Sequence, residues 1–355
     1  SGVYDAKLAN LPSEKAVDLA YNMIEESLGN SRKIADNAGV LNVVEYHTLV
    51  MNSYGLVAQD AGTFFESSLT ATAKEGDKTS EGFNATAGRS LKELKPEEVG
   101  TKAAEMAVAG LKAKPLKEGT YELILDTQPA VSIVGYMSWL VSPMIARLYF
   151  PLFLDRIGKQ VGSKHLTVVD DPLMKDGIGS GPIDDEGAPS RKVTIMDKGT
   201  LKSFVHDSFY GAMEKKRTTS SAVRAQFAAG VSFFPGKNYN CEPMPIPRNP
   251  YIQPGDWKRD EIIKDTRDGL LVQCFHYTRL TNPTRGDFTS VLRMGLYRVE
   301  MGKIVGAVQK SRILDNLLDV LKNVNAVSDK LVVAGSWGGY GHTPVIRTKA
   351  NVTAV

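Results

Sequence analysis

The sequence predicts an α+β protein: an N-terminal α/β-type domain over residues 1–120, incomplete at its start, then a sheet-rich, barrel-like domain over residues 121–355. Three observations carry this reading. Two stretches with helical spacing of apolar residues enclose two runs rich in β-formers in the first third of the chain. An apolar strand–turn–helix pattern follows at Tyr121–Val141. Beyond Gly158, short apolar runs alternate with Gly, Pro and Asp turns, the pattern of a closed or curled sheet.

In chain order, Leu11–Glu26 reads as an amphipathic helix with Ser13 as its N-cap, since Ala16, Leu19, Ala20, Met23 and Ile24 follow the helical period. Asn42–Ser53 and Thr63–Ala73 read as strands, with turns at Tyr54-Gly55 and Glu75–Lys78. Lys95–Ala113 is a helix: Pro96 suits its first turn, and two acids there complement the helix dipole. Tyr121–Leu125 is a buried strand. Asp126 and Pro129 mark the turn into an apolar helix that Ser142-Pro143 ends or kinks. Further on, Lys192–Met196 and Thr200–Ser208 read as strands across an Asp197–Gly199 turn, so that His206 and Asp207 point to opposite faces. Tyr210–Ala229 reads as mobile, Phe233–Trp257 as an extended Pro- and Asn-rich loop, and Arg259–Asp268 and Leu314–Asn323 as helices.

Composition narrows the function classes. The net charge of +3, from 43 Lys and Arg against 40 Asp and Glu, is too small and too dispersed for a nucleic-acid protein. Two cysteines, Cys241 and Cys274, form no metal-type pair and fit a reducing compartment. The apolar stretch from Val131 to Leu154 is broken by Pro143, Arg147 and Pro151 before it reaches membrane length. A soluble, cytoplasmic protein is expected.

Local chemistry is sparse. None of the five histidines stands at metal-ligand spacing from another His, Cys or carboxylate. Asp184-Asp185-Glu186 is the densest acidic cluster; it lacks the alternate spacing of a calcium loop, and a solvated turn is its simplest role. Ser180 has no nucleophile-elbow surroundings. Tyr340 and His342 sit in a glycine-rich stretch that matches no phosphate-binding fingerprint. The central helix carries no His, Cys, Asp, Glu or Lys between Val131 and Val141.

Several short motifs occur in a telling order: Asn52–Gly55, Gly158-Lys159-Gln160, Asp184–Gly187, Asp197–Leu201, Thr284–Phe288 and Val299–Ile304. Together they resemble the TldD/PmbA family over nearly the whole chain, which then begins late relative to a full-length member; the start at Ser1 agrees with that. The resemblance implies cytosolic metallopeptidases acting on peptides or unfolded proteins as pairs of related subunits. One subunit is expected to carry zinc on an HExxxH motif in the central helix, completed by a C-terminal cysteine. Here the matching positions are Gly135, Tyr136, Leu140 and Ser336 or Trp337. The chain therefore resembles the PmbA/TldE-like subunit. The resemblance implies no metal or other cofactor on this chain, zinc on the TldD-like partner only, a homodimer when isolated, and no catalytic residue of its own. Asp184, Asp185, Glu186, Tyr340 and His342 are the candidate substrate-contacting residues. A self-sufficient hydrolase with an unseen site and a plain peptide-binding protein are the alternatives.

Overall fold

The computed structural model describes residues 3–224, 240–336 and 339–355. The first part of the chain builds a three-stranded antiparallel meander of Ile34–Met51, Val57–Glu75 and Lys78–Gly88. Helices Ser13–Asn30 and Pro96–Gly110 cover one face. Strand alternation decides which face that is. Leu69, Ala71 and Ala73 all point one way and meet Met23 from the first helix and Val99, Ala103 and Ala107 from the second. The two helices approach so closely that a Cβ on Gly100 would lie 2.0 Å from the Met23 carbonyl oxygen. Glycine is required there by space.

The remainder is dominated by a nine-stranded sheet, curled into a half-barrel. Its order runs His276–Asn282, Asp287–Leu292, Ser311–Asn316, Ile346–Ala354, Gly119–Leu125, Asp268–Val272, Leu296–Glu300, Lys303–Ala307, with Ala326–Val327 paired to Ile346–Ala354. Gly119–Leu125 and Asp268–Val272 run parallel, whereas the other pairings of this sheet are antiparallel. Leu123, Leu125, Leu270 and Val272 face a large apolar core that includes Ile133, Met137 and Leu140 of helix Thr127–Leu140. Ile124 and Leu271, one residue out of phase, face Ile262 and Ile263 of helix Arg259–Asp265. The central helix thus sits on one side of the sheet because the strand period of two sends alternate residues there. Among the described residues no helix is long and apolar enough to cross a membrane.

Several elements differ from the sequence-based expectation. Ser13 is the first residue of its helix, Pro12 holds the cap position, and no side chain caps it. The strand Lys78–Gly88 was not anticipated because its Gly and Asn disguise it; Gly82 is there to let the strand meet Ala103 and Ala107 of the covering helix. His206 and Asp207 lie outside any strand, and Asp207 caps the helix Ser208–Met213 instead. Leu314–Asn316 belongs to a strand, and the helix begins at Leu317, capped by the Asn316 side chain. The stretch expected as an extended loop contains short strands at Met244–Pro245 and Pro250–Ile252; residues 225–239, which hold the start of that stretch and the end of the one expected to be mobile, lie outside the described residues.

The Gly100 crossing gives a direct check. Gly100→Leu must push the two helices apart, so the urea midpoint should fall by the equivalent of about 2–3 kcal/mol. An unchanged midpoint would show that the crossing is not as close as described.

Candidate functional site

The central helix has Asp126 as its N-cap, whose side chain accepts the Thr127 N–H, and it stops at Leu140 before Pro143 opens the next helix behind its Ser142 cap. One side of this helix is core. The other, with Val131, Gly135, Ser138 and Trp139 at successive helical turns, lines a cavity of about 370 Å³. Three more segments close it: Ile246–Pro250, Phe275–Thr278, and the hairpin of strands Val332–Ser336 and Gly339–Thr343.

Of the residues singled out from the sequence, Gly135, Tyr136, Ser336, Tyr340 and His342 converge on this cavity. Leu140 does not. It is fully buried in the core beneath the helix. The acidic run lies elsewhere, and its carboxylates are used internally. Asp184 accepts the N–H groups of Glu186, Ala188 and Ala222, Asp185 that of Arg224, and Glu186 both the N–H and the hydroxyl of Ser208. The cluster staples three stretches of chain together. Trp337 lies outside the described residues.

The cavity is aromatic and nearly free of charge. Tyr136 donates its hydroxyl to the Thr278 carbonyl at 2.5 Å, and burial pushes its phenol up to about 12. Trp139 meets Tyr136 edge-on at 5.2 Å and stacks on Phe150 at 5.7 Å. Burial, then the nearby Glu66, raises the Tyr340 phenol. Burial lowers both imidazoles, with Arg89 adding to it at His342 and Arg293 at His276. Both rings are therefore mainly neutral at pH 7. The His342 Nδ1 is buried without a hydrogen-bond partner. Among the described residues Arg248 is the permanently charged one in the lining, and it spends Nη1 on the Ile183 carbonyl and the Ser190 hydroxyl.

Zinc does not fit the positions matched to the family motif. Gly135 has no side chain, Leu140 faces the core, the Tyr136 phenol is protonated and engaged, and the Ser336 hydroxyl donates to the Gly339 carbonyl. Cys274 is buried beside Met106 and Met294, away from the cavity, and burial raises its thiol to about 12. Among the described residues no three His, Cys, Asp or Glu side chains gather as a metal site.

What positions the cavity wall was not foreseen from the sequence. Arg89, 1% exposed, donates Nε to the Gly177 carbonyl, Nη1 to the Tyr46 hydroxyl and the Thr63 carbonyl, and Nη2 to the carbonyls of Ser180 and Ile178. The loop it grips lies against Arg248 and Asn249, so close that a Cβ on Gly179 would sit 1.6 Å from the Arg248 carbonyl oxygen. Behind them, Asp170 Oδ1 accepts both the Arg248 and Asn249 N–H groups, while its Oδ2, also buried, has no hydrogen-bond partner. Burial outweighs these bonds and raises the Asp170 carboxyl to about 6. Neither residue stands in a recognisable motif.

Comparison with known proteins covers almost all of the chain. Residues 6–111 match the model of the PmbA/TldA metallopeptidase central domain, and residues 118–353 that of the PmbA/TldA metallopeptidase C-terminal domain. A metalloprotease TldD homologue of Buchnera aphidicola is 26% identical over 338 residues, which is 91% of this chain and 67% of that one. A metalloprotease of Methanocaldococcus jannaschii is 27% identical over 73% of this chain and 55% of its own length. The chain thus spans little more than half to two thirds of these relatives. The crystal structure of TldE from Thermococcus kodakarensis superposes with a TM-score of 0.84 at 20% identity, over 99% of this chain and 76% of that one.

Two outcomes test the wall. Arg89→Met leaves the Gly177, Ile178 and Ser180 carbonyls without their buried donor and should cost about 3–5 kcal/mol in urea unfolding. For Asp170 the folded-state value lies above the unfolded one, so the folded chain holds the extra proton between about pH 4 and pH 6, and stability falls as pH rises through that window. Asp170→Asn keeps the acceptor and never ionises. It should be more stable than the parent at pH 7, by up to about 3 kcal/mol for a two-unit shift, with the gap closing near pH 4.

Proposed function

The chain belongs to the PmbA/TldD metallopeptidase family, and from that premise we propose that it is the metal-free partner subunit of a zinc-bearing, TldD-like relative. Its role in proteolysis is then to shape the space in which a peptide or unfolded protein is held. The reading assigns residues 1–120 and 121–355 to two domains, and the protein to the cytoplasm. It makes the chain a homodimer when isolated and a heterodimer when the zinc-bearing subunit is at hand.

The observation that carries this is the cavity face of the central helix. A zinc peptidase needs imidazoles or a thiolate on that face and a carboxylate to activate water. This face presents Gly135, Tyr136, Ser138 and Trp139. Likeness to the Thermococcus protein supports the same reading at the level of fold. Within it, Tyr340 and His342 contact substrate from the hairpin side, while Asp184–Glu186 act at one remove, by fixing the loop that ends at Gly187.

The test is assembly and metal together. Purified chain should hold no stoichiometric zinc by elemental analysis and cleave no unfolded protein alone. Light scattering should show a dimer, and mixing with a TldD-like relative should yield a heterodimer whose hydrolysis is lost on chelation. One tightly bound zinc per isolated chain, with chelator-sensitive cleavage, would overturn the proposal.

A further inference from the structure

The cavity has a shape and polarity that restrict what it can hold. Gly135 lies on its helical wall, and a Cβ there would meet nothing within 4 Å. Packing does not demand glycine at this site, and glycine is a poor helix former. What it leaves is room. Across the cavity Gly341, on the hairpin, would bring a Cβ only into ordinary contact with Val131 at 3.8 Å. Two walls that could carry side chains are thus left bare.

Around that space the surfaces are aromatic and fixed. Trp139 is sandwiched by its contacts to Tyr136 and Phe150, and Tyr136 is tied to Thr278. Tyr277 forms an outer lip: it is 75% exposed, and its φ of 48° sits where strand His276–Asn282 slips register against its neighbour. The permanent charge in the lining, Arg248, has its Nη1 committed to partners within the wall. A cationic side chain entering here would lose its hydration and meet the like charge of Arg248. An aromatic one would exchange water for ring contacts.

We propose that this cavity is a specificity subsite taking one neutral aromatic side chain from an extended peptide. The inference rests on the peptide-holding role argued above and adds the choice among peptides. A volume of about 370 Å³ suits one large side chain with its adjoining backbone, not a folded element.

The experiment uses the purified chain and short fluorescein-labelled peptides of glycine and alanine with a single variable central residue. By anisotropy, peptides with a central aromatic residue should bind roughly tenfold or more tighter than those with Lys, the ratio expected from burying an aromatic ring against stranding a cation. Gly135→Leu should abolish the preference while the melting temperature holds or rises. Gly341→Val, filling the same space from the opposite wall, gives a second route should the first variant fold poorly. Equal binding of all peptides, or a preference that survives both filled variants, overturns the subsite while leaving the peptide-holding role intact. No binding of any peptide overturns both.

Discussion

A single buried guanidinium holds the two parts of the molecule in register. Arg89 ends the three-stranded meander, yet most of its hydrogen bonds go to carbonyls of the loop at Gly177–Ser180, ninety residues downstream. A cation this deep is tolerable only because oriented carbonyl dipoles and the Tyr46 ring, 5.7 Å from the guanidinium carbon, replace its water. The arrangement also works in reverse. Those carbonyls belong to a tight, glycine-dependent loop with few internal partners, and Arg89 supplies the donors that let the loop be compact. Because the loop presses on Arg248 and Asn249, the shape of the cavity wall is set from the meander.

The cavity shows how one helix divides its residues between a core and an open space. A helix offers one residue in three or four to a given side, so Gly135 and Trp139 share the cavity while Leu140 is given to the core. With neutral imidazoles, protonated phenols and an internally bonded arginine, the site has low charge at pH 7. Such a lining offers ring faces and little charge to whatever enters it.

The central helix was legible because its apolarity is unbroken and its ends are marked by Asp126 and Pro143. The half-barrel was legible through the rhythm of short strands and turns. Much of the site was not, and the reasons are physical. His276 and His342 come together only through tertiary packing, and Arg89 binds backbone carbonyls that carry no trace in the sequence. The acidic run is opaque for the same reason: the sequence shows adjacent carboxylates but not the backbone N–H groups that Asp184 and Asp185 accept. Lys78–Gly88 hid as a strand because its glycine serves a neighbouring helix rather than its own ladder.

The order of strands in the half-barrel has a bearing on biogenesis. Gly119–Leu125, first of that sheet to be synthesised, lies between Asp268–Val272 and Ile346–Ala354, and the latter is the last. On the ribosome it therefore waits with both edges open until Asp268–Val272 has emerged, and with one edge open until Ile346–Ala354 follows. The meander and its helices, closed by local contacts, can form early. The sheet can close only at the end, after a long loop entropy has been overcome. During that interval the apolar strand and the helix behind it are the natural targets of holdase chaperones, and a ribosome slowed or stalled before Ile346–Ala354 would leave a half-built barrel prone to pairing with its neighbours.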